Sequence, residues 1–516
     1  MTVIAYGNGP TASRLAVQSF DRLRTQLNGF QSQLSTGKVA TTVAGLGIQG
    51  SVSLGLGSTA SRLEAYQGNA QDASLRSQLI GTGLQQLDAL GSKLASGLTD
   101  TVNLPIGRKY VVDTARGSFE QAVDILNSSL GDRYLFSGRA TDTRPVLDSD
   151  LLLNGDAQRA GVKTLIDERT QADLGTAGLG RLTLASAGTT TTVSEEAYGL
   201  PFGVKIAGIA ATGAGLAATF TAGAAGSAGP PAVPATPASA AIDVTGTPVD
   251  GDAVTYTFTL PDRTTGTLTL SAGAAPADGA DGAFAIGATP AATSANLTAA
   301  LQTALQTFVT NTVPGASAAK AADDFFAARP GAPPPRVDTS GGSAAAATAI
   351  VSGTAANTVI WYQGDDGPPS AARGTNPARL GDNQTIGIGA QANEAPFRAL
   401  LAGFAVLAVQ DPAPATPPPD DQTLALLDRA RTRLTGQTSG TAVRDLAGEF
   451  SLAKGTADAA AQQLSQAIKH VGDSQAAIEN ADPTEAASKL IQTQTRLQAA
   501  YQTTSTILRL SLVDYL

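Results

Sequence analysis

Residues able to do chemistry are few in this chain. One histidine, His470, is the only imidazole in 516 residues, and cysteine is absent. That removes thiol nucleophiles, disulfides and thiolate metal sites, and it leaves an H-E-x-x-H zinc motif without its second histidine. A Ser-His-Asp triad would have to run through His470, which stands beside Val471 on a long helical pattern and reads as the flank of a packed seam. Acid pairs occur at Glu195-Glu196, Asp323-Asp324, Asp365-Asp366 and Asp420-Asp421, all in loop-like or flanking sequence. General acid–base work would need two acids in one cleft, so solvation is the plainer role. Asp250-Gly-Asp252 and Asp278-Gly-Ala-Asp281 match no full calcium loop and read as turns. Gly45-Leu-Gly47-Ile-Gln-Gly50 is a literal G-x-G-x-x-G. A dinucleotide site needs a strand before it, a helix opening on the last glycine and an acid about 20 positions on. Here a helical seam precedes and more glycine follows, so a flexible loop or short hairpin is expected. The reading is a non-enzyme, with no catalytic residue, cofactor or metal.

Composition narrows the class further. The net charge is −9, which argues against nucleic acid, because phosphate binding wants clustered Lys and Arg. Aromatics make up only 5%, so cores must be built from Ala, Leu and Val. The 56 glycines and 27 prolines concentrate in the middle of a chain long enough for several domains. The first ten residues have no basic region followed by an apolar run, so no cleavable secretory signal is expected. Membrane insertion is not expected either, since the nearest apolar window, Leu400 to Val409, is too short to span a bilayer.

Stepping along the chain, helical seams occupy both ends. Ala16, Phe20, Leu23, Leu27, Phe30 and Leu34 alternate steps of four and three, which predicts a coiled-coil helix over about residues 12–36, stopped by Gly37. Leu490, Leu497, Thr504 and Ser511 fall seven apart, as do Gln494, Tyr501, Leu508 and Tyr515. Asp482-Pro483-Thr-Glu485 supplies a helix start for that segment. Two longer patterns lie inside these, from Ser58 to Leu98 (ended by Pro105) and from Val443 to Ile478; Val112 to Leu126 marks a shorter one. Apolar seams of this kind usually pack within their own domain. Placed at both extremes of a chain, where fraying is the rule, they favour packing in an assembly instead.

Between about 146 and 390 strand signals replace the seams. Arg181–Leu184, Thr190–Val193, Phe202–Ile206 and Val359–Tyr362 are short strand candidates, the last carrying the only tryptophan. Ala207 to Ser239 is an Ala/Gly/Pro run read as a linker or loose loop. Val254, Tyr256, Phe258 and Leu260 alternate, the chain turns at Pro261–Gly266, and Leu268 and Leu270 alternate again, which predicts a hairpin. A third strand near Ala283 and a helix over Thr293–Thr310 would complete a small ββ(β)α domain at about 241–328. Helices resume after Asn393-Glu394 and again from Thr423 to Leu434, separated by the rigid Pro412–Pro419 break.

Four stretches carry a resemblance. Arg22 to Lys38 resembles the opening of bacterial flagellin-family proteins, and Leu497 through Leu516 resembles the family's ending. Asp132-Arg-Tyr-Leu-Phe-Ser-Gly-Arg-Ala-Thr-Asp-Thr-Arg-Pro145 is similar to a segment of the hook–filament junction branch, the hook-associated proteins of type 3, and Gly389–Glu394 is similar to the return from that branch's insertion. The resemblance covers roughly 12–206 and 380–516. It departs from the family after Lys38, where Thr41-Thr-Val-Ala-Gly-Leu-Gly47 replaces a charged loop.

What the resemblance implies is a mainly α rod of antiparallel coiled-coil helices from both termini with a β-rich, α+β central insertion. The expected divisions are 1–36 plus 483–516 (terminal coiled coil), 37–145 plus 391–482 (long-helix rod), 146–207 plus 350–390 (β-rich), and 208–349 (insertion). Function would be structural: an extracellular, self-assembling flagellar protein, exported through the type III channel, joining hook to filament. Its partners would be a ring of like subunits, other hook-associated and flagellin subunits, and an export chaperone on the C-terminal helix. Phe20, Leu23, Leu27, Phe30, Leu34, Leu490, Leu497, Tyr501, Leu508 and Tyr515 would form the assembly interface. A filament flagellin, or a flagellar protein displaying an adhesive insertion, are the alternatives.

Overall fold

The computed structural model describes residues 9–98, 104–228, 232–273, 281–365, 367–436 and 442–513. The chain is a mixed, multidomain protein, predominantly helical, with several small sheets.

The first helix, α1 (Gly9–Thr36), ends where Gly37 takes a left-handed φ of 68° and its N–H reaches the Gln33 carbonyl at 2.8 Å. The glycine-rich stretch that follows is not the loop or hairpin its composition suggests. Val43–Leu46 form one 3-10 turn, capped by Thr42, and α2 (Gln49–Gly97) then takes in Gly50, Gly55 and Gly57 as helical residues. Gly50 makes this close approach possible, since a Cβ there would lie 2.5 Å from the Val43 carbonyl oxygen. Pro105 likewise opens an element rather than ending one: it stands in the first turn of α3 (Leu104–Leu126), where a missing N–H costs no helical bond.

After the tiny hairpin β1 (Ser129–Leu130) and β2 (Arg133–Tyr134) come two helices inside the region expected to be β-rich, α4 (Ser149–Asn154) and α5 (Val162–Leu174). The strands are β3 (Leu182–Ala187), β4 (Thr190–Glu195), β5 (Lys205–Ala211), β6 (Leu216–Thr221), β7 (Ser239–Val244), β8 (Ala253–Thr259), β9 (Thr265–Ala272) and β10 (Gly282–Phe284). They form two four-stranded sheets, ordered β3-β4-β7-β6 and β10-β9-β8-β5. All pairings are antiparallel except β10 with β9. The 207–239 run is therefore not a linker. It completes β5, forms β6 and continues the ladder at Ala224↔Thr236 and Ser227↔Val233. Small residues suffice there because only Leu216 of β6 is buried.

The long helix α6 (Pro290–Ala327) overruns its expected end at Thr310 and passes straight through Pro314. A mid-helix proline costs roughly 3 kcal/mol. Burial of Val313, Ala316, Ala319, Ala322, Phe325 and Phe326 offsets it. Because β8 pairs with β5 and α6 reaches beyond the sheets, the expected ββ(β)α piece is not a separate body, and β5 runs across the expected 207/208 boundary.

The remaining elements are β11 (Pro335–Val337), β12 (Ile350–Ser352), β13 (Pro377–Arg379), β14 (Thr385–Gly387), α7 (Ala395–Ala408), α8 (Asp420–Leu434), α9 (Val443–Glu479) and α10 (Pro483–Val513). The expected strand at Val359–Tyr362 makes only isolated bridges, Thr358 to Ala160 and Tyr362 to Val146. Its side chains serve the core instead: Trp361 is fully buried and donates its indole N–H to the Phe326 carbonyl at 3.1 Å.

Contacts divide the chain into two compact units: residues 1–74, 378–386 and 455–516, and residues 75–377 and 387–454. In the second, Phe119, Phe136, Trp361, Phe397 and Phe404 centre a helical core, while both sheets and the first half of α6 close over Tyr256, Phe258 and Phe284. In the first, the described residues hold one small cluster around Ala70, Leu380 and Ala460.

Candidate functional site: the terminal helix pair

Asp482 starts α10. Its carboxylate accepts the Thr484 and Glu485 N–H groups at 2.7 and 3.3 Å, and these bonds pull its pKa below the usual carboxylate value. The Ala481 N–H meets the Gly37 carbonyl at 2.9 Å, the Val39 N–H meets the Glu479 carbonyl at 2.7 Å, and Lys38 and Asn480 form an antiparallel bridge. The end of α1 is thus tied to the start of α10. Farther along, Phe20 stacks on Tyr501 with centroids 4.9 Å apart and an interplanar angle of 19°. Together these contacts fix α1 and α10 as an antiparallel pair.

Which seam residues does the pairing use? Phe20, Leu23, Leu27 and Phe30 are half-buried, and Leu34 is 38% exposed. On α10 the line Ala486, Leu490, Thr493, Leu497, Ala500 and Thr504 faces inward at alternating steps of four and three, with Ala486 and Thr493 fully buried and the others half-buried. The second line is different: Gln494 is exposed and Tyr501 is 56% exposed despite its stacking. The Leu508 side chain and Tyr515 lie outside the described residues. No described side chain of α1 is fully buried.

A charged node that periodicity does not reveal holds this region at one end. Glu479 accepts hydrogen bonds from Lys38 Nζ at 2.8 Å, Ser53 Oγ at 2.6 Å and Gln475 Nε2 at 2.7 Å. These bonds, that from Lys38 first, hold its carboxyl down at about 2. Around it the chain shows apolar side chains to solvent: Val39, Val43, Val52 and above all Ile48, 94% exposed. The signal for this patch was the uncharged Thr41–Gly47 run itself.

The chemistry-bearing residues are placed as follows. His470 is exposed on α9. The G-x-G-x-x-G follows a helix, not a strand, and lies in the 3-10 turn and the start of α2. The acid pairs are not mere solvated faces, because most hold cations: Glu195 with Lys205, Glu196 with Arg181, Asp323 with Arg433 and Asp324 with Lys320. Asp366 and Asp278 lie outside the described residues, and Asp252 accepts the Val249 N–H in a turn. Among the described residues no group of His, Cys, Asp and Glu could hold a metal, and no helix is long and apolar enough to cross a membrane.

Two stretches singled out by resemblance do meet. Ser137 bridges Gln391, the Gly138 N–H reaches the Ala390 carbonyl at 3.0 Å, the Ala392 N–H reaches the Phe136 carbonyl at 2.8 Å, and Phe136 packs edge-on against Phe397. Gly138 needs its left-handed φ of 64°, and a Cβ there would lie 2.8 Å from Asp365. Compared with known proteins, the chain matches no family model and no curated protein sequence.

Proposed function

We propose that the chain is a non-enzymatic, self-assembling structural subunit of the flagellin family, in its hook–filament junction branch. The observation that carries this reading is the antiparallel α1–α10 pair, whose heptad seams are left half-exposed. A two-helix pair with a seam of this kind gains its remaining burial from further helices. In this reading those helices come from neighbouring copies arranged in a ring. Hook-associated and flagellin subunits would lie on either side, and a chaperone would cover α10 before type III export to the cell exterior. The pairing of the 132–145 and 389–394 segments supports the junction branch, since both carry the likeness to it.

Removing residues 508–516 tests the central point. The strand-bearing unit stays folded by near-ultraviolet circular dichroism, while assembly measured by sedimentation and electron microscopy is lost. Assembly of the truncated chain would reduce the seam to ordinary core. Immunogold labelling then separates branches: label confined to the hook–filament boundary supports the junction role, and label along the filament makes the chain its flagellin.

A further inference from the structure

A cleft of about 350 Å³ opens in the strand-bearing unit between α5, α6 and α8. Its size lies at the lower end of the range of about 300–1,000 Å³ typical of small-molecule sites. One wall is a stripe of α5, with Lys163, Asp167, Thr170 and Gln171 spaced to share a face. Arg108, Asp411 and Gln422 also line it. Arg108 is held in place by donating to Thr423 Oγ1 at 2.8 Å, and α6 backs the cleft closely enough that a Cβ on Gly315 would sit 3.3 Å from the Leu426 nitrogen.

Basic-to-acidic pairs at the i,i+4 spacing close on each other at Lys109–Asp113 (2.5 Å), Arg144–Asp148 (2.8 Å), Arg169–Asp173 (2.7 Å) and Lys320–Asp324 (2.5 Å), while Arg116 and Glu120, and Lys469 and Asp473, stay apart. Lys163 and Asp167 have the same order and spacing, yet among the described residues neither forms an ion pair or hydrogen bond through its side chain, and the same holds for Gln171 and Gln422. A separated ammonium and carboxylate, with two free amides, a fixed guanidinium and the Asp411 carboxylate in the same lining, complements a molecule that carries both charges itself.

We propose that this cleft binds a small zwitterion of dipeptide size, its carboxylate taken by Lys163 and Arg108, its ammonium by Asp167, and its amide by Gln171 and Gln422. Desolvation by the walls already holds the Asp167 carboxyl above its usual range, and a bound ammonium would draw it back down.

Saturation-transfer NMR on the full chain tests it with three probes: alanyl-alanine, its N-acetyl form and its C-terminal amide. Transfer to alanyl-alanine is expected, with each capped form weaker by about tenfold, the scale of one lost charge-assisted hydrogen bond. Asp167→Asn should weaken alanyl-alanine about tenfold and leave the N-acetyl form unchanged, while Lys163→Gln does the same with the amide. Both positions are exposed, so the fold is retained and far-ultraviolet circular dichroism checks it. Absent transfer, equal transfer to all three probes, or binding unaffected by both substitutions would overturn the assignment.

Discussion

The two units use opposite solutions to the same problem of apolar surface. The strand-bearing unit hides its largest side chains completely: Trp361, Phe119, Phe136 and Phe326 are all inaccessible, with Phe326 edge-on to Trp361 at 5.4 Å. Its charges are fixed as firmly. Asp173 is fully buried and accepts from Arg169 at 2.7 Å, Ser317 at 2.8 Å and the Gly203 N–H at 2.8 Å. The unit of terminal helices leaves the large apolar side chains of its seam, Phe20, Leu23, Leu27, Phe30, Leu490 and Leu497, half in water. Full burial of a large apolar side chain is worth about 1.5–3 kcal/mol, so each half-buried position withholds roughly half of that until something covers it. One unit closes its core around its largest side chains; the other leaves apolar seam area uncovered, which the proposed assembly would bury.

Four substitutions bear on that comparison. The largest loss is expected for Trp361→Ala, about 3–5 kcal/mol by denaturant unfolding, because it empties a closed core and orphans the Phe326 carbonyl. Phe20→Ala should cost the dilute monomer only about 1 kcal/mol, since the ring is half-buried, yet it should abolish sedimentable assemblies. Equal losses in the two monomers would erase the contrast between the units. The smallest effect is a gain: Gly55→Ala meets nothing within 4 Å in the second turn of α2 and should stabilise by roughly 0.5–1 kcal/mol, whereas Gly50→Ala drives a methyl into Val43 and should destabilise. Thermal melts of the two variants moving in the same direction would break that distinction.

Acid should also act selectively. Glu479 titrates at about 2 in the folded chain against an ordinary 4.5, so its contribution is complete above pH 4.5 and is lost as pH falls from there toward 2. Amide exchange at the α1–α10 junction should quicken over that window. In Glu479→Gln the pH-dependent part should vanish; persistence would place the titrating group elsewhere.

How much of this was legible in the sequence follows from physical period. Helices α1, α2, α9 and α10 declare themselves because a seam must recur every three to four residues along their whole length. The β8–β9 hairpin does so through strict alternation at Val254, Tyr256, Phe258 and Leu260. Helix α5 was hidden because its inward face includes Arg169 and Asp173, which are buried only because they pair with each other. The far half of α6 was hidden by Pro314, a residue whose usual cost is outweighed by neighbours supplied from distant sequence. In β6 the residues are too small to show a period at all. The heptads pointed to α1 and α10, which pair within the chain, but which of the two α10 lines turns inward depends on the register with α1, and that is set by the Gly37–Ala481 and Lys38–Asn480 contacts.

Helix α6 carries one more consequence. Its first half lies against the sheets, through Leu297, Leu301 and Leu305, and its second half lies in the helical core, through Ala322, Phe325 and Phe326. A single hydrogen-bonded rod therefore joins the two layers of that unit where other proteins place a slack linker. Sideways load on the strands is passed inward as torque on a stiff beam. Pro314, which cannot supply its rung to the ladder, marks where that beam would yield first.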